Sequence, residues 1–126
     1  MAVKEKIAIF EDEVEWAEVL KDELEAQGHT VKVVASTRSG ITEGVADVVA
    51  NGFSMVFTDG NLDPFDASGK DGSRITQELK TRVPSVVVLG YSTAPDKIVG
   101  TTRNFNKTED DPNDIATYVT NLPVRS

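Results

Sequence analysis

The 126-residue chain contains no cysteine, which excludes a disulfide framework and any thiolate metal centre and is in keeping with a reducing cytosol. Histidine is nearly absent too. The one present, His29, stands beside Gly28 at the entrance of an expected strand and reads as an exposed turn residue rather than a catalytic group. Long apolar runs are missing: the longest, Val86 to Leu89, is far too short to cross a bilayer. The first six residues carry charge of both signs and lead into only four apolar residues, Ile7 to Phe10, so no signal-peptide core is expected. Basic residues are in the minority, 13 against 21 acidic, for a net charge of −8. Such a surface, taken as a whole, repels phosphate backbones and anionic membranes, so neither nucleic acid nor membrane is expected as a partner. These features together point to the cytoplasm.

What is present is the profile of one compact domain spanning residues 1–126, with 39% hydrophobic and 27% charged content. Val3 to Phe10 ends in Ile7-Ala8-Ile9-Phe10, a continuous apolar run suited to a strand buried on both faces of a parallel sheet. Val14, Ala17, Leu20 and Leu24 then recur at helical spacing, with Gly28 as the stop. His29 to Ala35 reads as a second strand, and Ile41, Val45 and Val48 as the stripe of a second helix.

Met55 to Thr58 is the third strand. Residues 59–71 form a long loop with two glycines, a proline and several aspartates, before a helix marked by Ile75 and Leu79 and closed by Pro84. Val86 to Leu89 gives a fourth strand. Residues 90–100 are too broken by Gly, Pro and Asp for a long helix, leaving room only for a short turn near Asp96 to Val99. Arg103 to Asn106 is the fifth strand. A last helix follows, with Asp111 as cap, Pro112 in its first turn, and Ile115, Val119 and Leu122 inward. Strict alternation of strand and helix implies an α/β fold, a doubly wound parallel sheet with right-handed crossovers.

In such sheets the functional crevice lies outside the carboxyl ends of the central strands. Glu11 and Asp12 follow the first strand, Asp59 the third and Lys107 the fifth. Carboxylates brought together repel one another unless a cation neutralises them, and all-oxygen ligands favour a hard ion such as magnesium, with manganese as the alternative. A carboxylate is also a competent nucleophile toward phosphorus when metal and ammonium neutralise the transferred group.

With these residues in place the chain resembles the receiver domains of bacterial two-component response regulators over nearly its whole length. Ile7 to Glu13 is similar to the family's first strand and acidic pair, and Met55 to Leu62 to the strand bearing its phosphoacceptor. Asp71-Gly72 resembles the opening of its third helix. Phe105 to Thr108 resembles its lysine segment, with Thr108 where the family usually has proline. The resemblance implies a flavodoxin-like five-stranded sheet of order 2-1-3-4-5. It implies Asp59 as phosphoacceptor, Lys107 as the charge stabilising the phosphoryl group, and a Mg2+ held by Glu11, Asp12, Asp59 and the backbone carbonyl of Asn61. The phosphoryl donor would be a histidine kinase or histidine phosphotransfer protein. With no DNA-binding helix pair after Leu122, output would pass to a further, unknown protein.

Each feature alone has a plainer reading. Glu11-Asp12 suits the first turn of a helix, Asp59-Gly60 a turn, Lys107 a solvated surface, and Trp16 the edge of the first helix. Asp59 to Asp63 also imitates the start of an EF-hand loop, but Pro64 and Lys70 occupy the positions that need glycine and glutamate.

Two departures from the family pattern bear on function. The hydroxyl residue that follows the fourth strand in receivers would fall on Leu89 or Gly90, neither of which has a hydroxyl. Ser92 or Thr93 would substitute only if the loop curls back. The usual fourth helix is expected to be short or missing, while Pro64 to Lys70 lengthens the loop after Asp59 and brings Asp63 and Asp66 beside the crevice, where the loop would gate access or meet a partner. The expectation is a phosphorylated signalling receiver, not an enzyme. The alternatives are a pseudo-receiver binding module that works without phosphate and, less favoured, a small Mg-dependent phosphohydrolase. Haloacid-dehalogenase-like phosphatases carry a second Asp two residues after the first; Asn61 stands there.

Overall fold

A computed structural model describes residues 4–63, 65–66 and 68–122. Val3, the expected start of the first strand, and Pro64 lie outside the described residues. The elements are β1 (Lys6–Phe10), α1 (Val14–Ala26), β2 (Thr30–Ala35), α2 (Ile41–Asn51), β3 (Met55–Thr58), α3 (Lys70–Arg82), β4 (Val87–Ser92), β5 (Arg103–Asn106) and α4 (Pro112–Thr120). Short 3-10 turns at Arg38–Gly40 and Pro95–Lys97 complete the order. All five strands are parallel in the order β2-β1-β3-β4-β5, as expected. Among the described residues no helix is long and apolar enough to cross a membrane.

The apolar run of β1 works on both faces of the sheet. Ile7 and Ile9 join Leu20 and Leu24 of α1, Phe57, Tyr91 and Ile115 of α4 on one side. Ala8 and Phe10 join Ile41 and Val45 of α2, and Ile75 and Leu79 of α3, on the other. The period-2 direction of strand side chains divides a continuous run between two cores. Each fully buried Ile or Leu contributes roughly 1.5–3 kcal/mol of transfer free energy. Asp111 caps α4 by accepting from Asn113 N–H, with Pro112 following it.

The fourth strand differs from the sequence reading. It starts at Val87 and runs to Ser92 rather than stopping at Leu89, because Gly90, Tyr91 and Ser92 pair with Asn104, Phe105 and Asn106 of β5. Glycine weakens an isolated strand, but here a close neighbour needs its missing side chain. A Cβ at Gly90 would stand 2.1 Å from Asn104 Oδ1. The Asn104 amide in turn donates to the carbonyls of Pro95 and Ile98, at 2.7 and 3.1 Å, and so fastens the segment that replaces a fourth-crossover helix. That segment holds only the three-residue turn, as expected.

His29 also departs from expectation: it is buried, not an exposed turn residue. Its Nδ1 accepts from Glu5 N–H at 2.9 Å, and its Nε2 lies 3.0 Å from Thr120 Oγ1. The imidazole thereby joins β1 to α4 at the end of the sheet where β1 begins, opposite the crevice.

Candidate functional site

The site forms where β1, β3 and β5 end. Parallel pairing continues just past the strands, with Asp59 N–H donating to Phe10 O at 2.8 Å and Lys107 N–H to Ser92 O at 3.0 Å. These bonds fix where each side chain leaves the sheet. One oxygen each from Glu11, Asp12 and Asp59 lies within 4.8 Å of the others. Lys107 Nζ lies 2.6 Å from Glu11 Oε1 and 3.2 Å from Asp59 Oδ2, with its side chain only 3% exposed. Asp59 Oδ1 accepts from Gly60 N–H at 2.7 Å.

The electrostatics show strain that one ammonium cannot relieve. Burial first, then the neighbouring charge of Asp59, pushes the Glu11 carboxyl up to about 9 despite its contact with Lys107. Burial likewise raises Asp12. Burial alone would lower Lys107, but the charges of Glu11 and Asp59 outweigh it and hold the ammonium above its usual range. Three clustered carboxyls facing one lysine fit a divalent, oxygen-seeking cation, since only added positive charge lets all three ionise together.

A cleft of about 180 Å³ opens above them, and Asp12, Asp59, Asn61, Ser92, Thr93 and Lys107 all reach it. Every candidate residue from the sequence is therefore at one place. The extended β4 delivers Ser92 there directly, at the strand end, so no curling of the loop is needed. Leu89 and Gly90 lie earlier in the strand, opposite Phe57 and Thr58. Ser92 is buried, and its Oγ accepts from Ala94 N–H at 3.1 Å. The Asn61 side chain accepts from Gly69 N–H at 2.8 Å, which holds the two ends of the long loop together.

Two parts of the site escaped the sequence. Lys107 Nζ stands 5.4 Å from the ring centre of Tyr91 and 5.8 Å from that of Trp16, which pack edge to face. Trp16 thus walls the ammonium rather than merely edging α1. The other is Arg38, on the turn after β2. Its Nε donates to both carboxylate oxygens of Asp71 at 3.0 Å, its Nη1 to Asp63 at 3.3 Å and its Nη2 to Asp66 at 2.7 Å. Asp63 and Asp66 do line the cleft as expected, and Arg38 is what holds them. An aspartate-rich loop calls for a cation, but nothing in its spacing names which one. Asp71 also accepts from Leu62 N–H at 2.9 Å, and a Cβ at Gly72 would strike Asp59 O at 2.6 Å. Asp71-Gly72 is thus where α3 docks against the end of β3.

The architecture defines a class. It is the fold of response-regulator receiver domains, with the sheet order and the carboxyl-end acidic crevice of that class. A CheY-like receiver domain from Methanospirillum hungatei JF-1 superposes with a TM-score of 0.71 at 17% identity, covering 93% of this chain and 91% of that one. A receiver domain from Clostridium thermocellum gives 0.70 at 21% identity, covering 93% and 92%. The DrrB receiver domain activated with BeF3 gives 0.68 at 19%, covering 93% and 95%. In sequence the chain is similar to the uncharacterized transcriptional regulatory protein YkoG of Bacillus subtilis (strain 168), 31% identical over 97 residues. That match takes in 77% of this chain but only 40% of the relative's length. No family model matches the chain.

Proposed function

We propose that the chain is the phosphoacceptor of a two-component phosphorelay, with Asp59 as the residue modified. One observation carries this reading: the Asp59 carboxylate sits at the floor of an open cleft, in reach of the Lys107 ammonium and of two further carboxyls that need a cation. Glu11, Asp12 and Asp59, with the backbone carbonyl of Asn61, would hold Mg2+ or Mn2+. When bound, the ion neutralises oxygens of the incoming phosphoryl group.

The chain's own groups do the rest. A carboxylate oxygen of Asp59 bonds to phosphorus, the bond from phosphorus to the donor's imidazole nitrogen breaks, and its electron pair leaves with the imidazole. Lys107 supports the charge on the transferred group. The Ser92 hydroxyl, at the end of β4 and in the lining of the same cleft, would meet it. The donor is a histidine kinase or phosphotransfer protein in the cytoplasm, and the output is contact with a downstream protein rather than catalysis, nucleic-acid binding or membrane binding. The departure from the family at Leu89 and Gly90 favoured a pseudo-receiver; the hydroxyl of Ser92 at the end of β4 supports the phosphorylated reading instead.

Intact-mass spectrometry after incubation with acetyl phosphate tests the reading. A single phosphoryl adduct is expected, dependent on magnesium and absent in Asp59→Asn. No adduct under conditions that label an ordinary receiver overturns it in favour of a pseudo-receiver. A beryllofluoride complex with the Ser92 hydroxyl remote from fluorine would remove the role given to Ser92.

A further inference from the structure

The short link between β4 and β5 leaves a space beside α3. Ile98 is buried against the backbone near Gly72 and Gly90, but the next residue, Val99, is 70% exposed. Between α3 and Val99-Gly100 runs an open groove of about 640 Å³, separate from the acidic cleft. Lys70, Arg74 and Lys80 stand along it, with Thr76, Val99 and Gly100 forming its apolar and neutral wall, and none of its described lining residues is acidic.

The charge there opposes that of the molecule. α3 carries Lys70, Arg74, Lys80 and Arg82 against Asp71 and Glu78, and Asp71 is buried and committed to Arg38, whereas the whole chain carries −8. Asp66 lies 3.3 Å from Lys70 and Glu78 3.7 Å from Arg74, both pairs open to solvent, while Lys80 has no carboxylate partner among the described residues and donates to Val86 O at 3.1 Å, so the groove keeps a net positive charge.

We infer that this groove docks an acidic amphipathic segment of a partner protein, with an apolar residue set against Val99 and carboxylates facing Lys70, Arg74 and Lys80. An exposed apolar side chain, Val99, set opposite a row of cations is the complement of such a segment in the helix-in-groove mode. A polynucleotide has the right sign of charge, but the described lining of the groove offers no aromatic face on which bases could stack. The groove also shares bonds with the acidic cleft. Ser73 Oγ accepts from Val99 N–H at 3.0 Å and donates to Gly69 O at 2.9 Å, and Gly69 N–H is held by Asn61. Docking does not require phosphorylation of Asp59, so the proposal stands or falls separately from that reading.

The test uses the full chain, 15N-labelled, titrated with a fluorescein-labelled synthetic peptide of about 16 residues that places Leu at helical i, i+3, i+4 spacing and Glu elsewhere. Amide shifts are expected to cluster in residues 70–81 and 98–101, in the native protein and in Asp59→Asn alike. Fluorescence anisotropy should show about tenfold weaker binding for Arg74→Glu/Lys80→Glu. Binding should weaken severalfold for Val99→Ser, which touches no ion pair, and stay unchanged for Lys21→Glu on α1, with unfolding curves confirming that each variant folds. Shifts outside the groove, equal binding of a peptide with Lys in place of Glu, equal loss in Lys21→Glu, or tighter binding of a single-stranded oligonucleotide of like length would each overturn the proposal.

Discussion

Lys107 Nζ lies 2.6 Å from Glu11 Oε1, and the two side chains are only 3% and 1% exposed, so the tightest ion pair in the crevice is buried. Removing one partner of a buried pair leaves the other's charge uncompensated. Lys107→Met should therefore destabilise the protein by about 3 kcal/mol in denaturant unfolding. Glu11→Gln should cost much less, because Asp59 remains as a partner for the ammonium and one source of carboxylate repulsion is gone. Equal losses in the two variants would contradict this account.

Cation binding should be visible through Trp16, the sole tryptophan, whose ring lies 5.8 Å from Lys107 Nζ. Titration with MgCl2 is expected to change its fluorescence, reversibly on chelation, and to raise the unfolding midpoint. At a hundred times the dissociation constant the stabilisation is about 2.7 kcal/mol. Asp12→Asn should weaken the response, and an unchanged titration would remove Asp12 from the ligand set.

Arg38 joins the turn after β2 to three aspartates of the loop and α3. Arg38→Ala is expected to speed amide hydrogen exchange in the described residues of the 62–69 loop more than in the sheet, since Asp63, Asp66 and Asp71 lose the partner they share while the strands keep theirs. Exchange that rises uniformly would mean the clasp supports the whole fold rather than the loop.

Burial lowers the His29 imidazole below its usual value, outweighing the opposing pull of Glu5. The unfolded chain thus binds the proton more readily than the folded one. Stability is fully present above the unfolded value near 6.5 and declines as pH falls below it toward the folded value, where the penalty levels off. His29→Gln, which keeps a polar group but cannot protonate, should flatten that part of the stability profile. An unchanged slope would show that other groups set it.

Gly90→Ala would drive a methyl group against Asn104, the residue that fastens the Pro95 to Ile98 segment. Overpacking of this kind costs typically ~1–3 kcal/mol. The loss should come with chemical-shift changes in residues 95–101, and Gly90→Ala/Asn104→Ala should recover part of it.

The sequence alone determined the alternation of strands and helices, the buried character of β1 and β3, the capped start of α4, and the gathering of Glu11, Asp12, Asp59 and Lys107 at one end of the sheet. Those features are local: periodicity, continuous apolar runs and turn residues specify them, and parallel winding then sends every strand end to one side. Tertiary structure decided the rest. β4 outlasts its apolar run because β5 supplies partners for Gly90, Tyr91 and Ser92. His29 is buried because Glu5 N–H donates to its Nδ1 and Thr120 Oγ1 pairs with its Nε2. Arg38 finds Asp63, Asp66 and Asp71 across 25 to 33 residues of chain, a pairing no local pattern encodes. In each case the deciding contact joins residues far apart in the chain, and only the folded sheet brings them within reach.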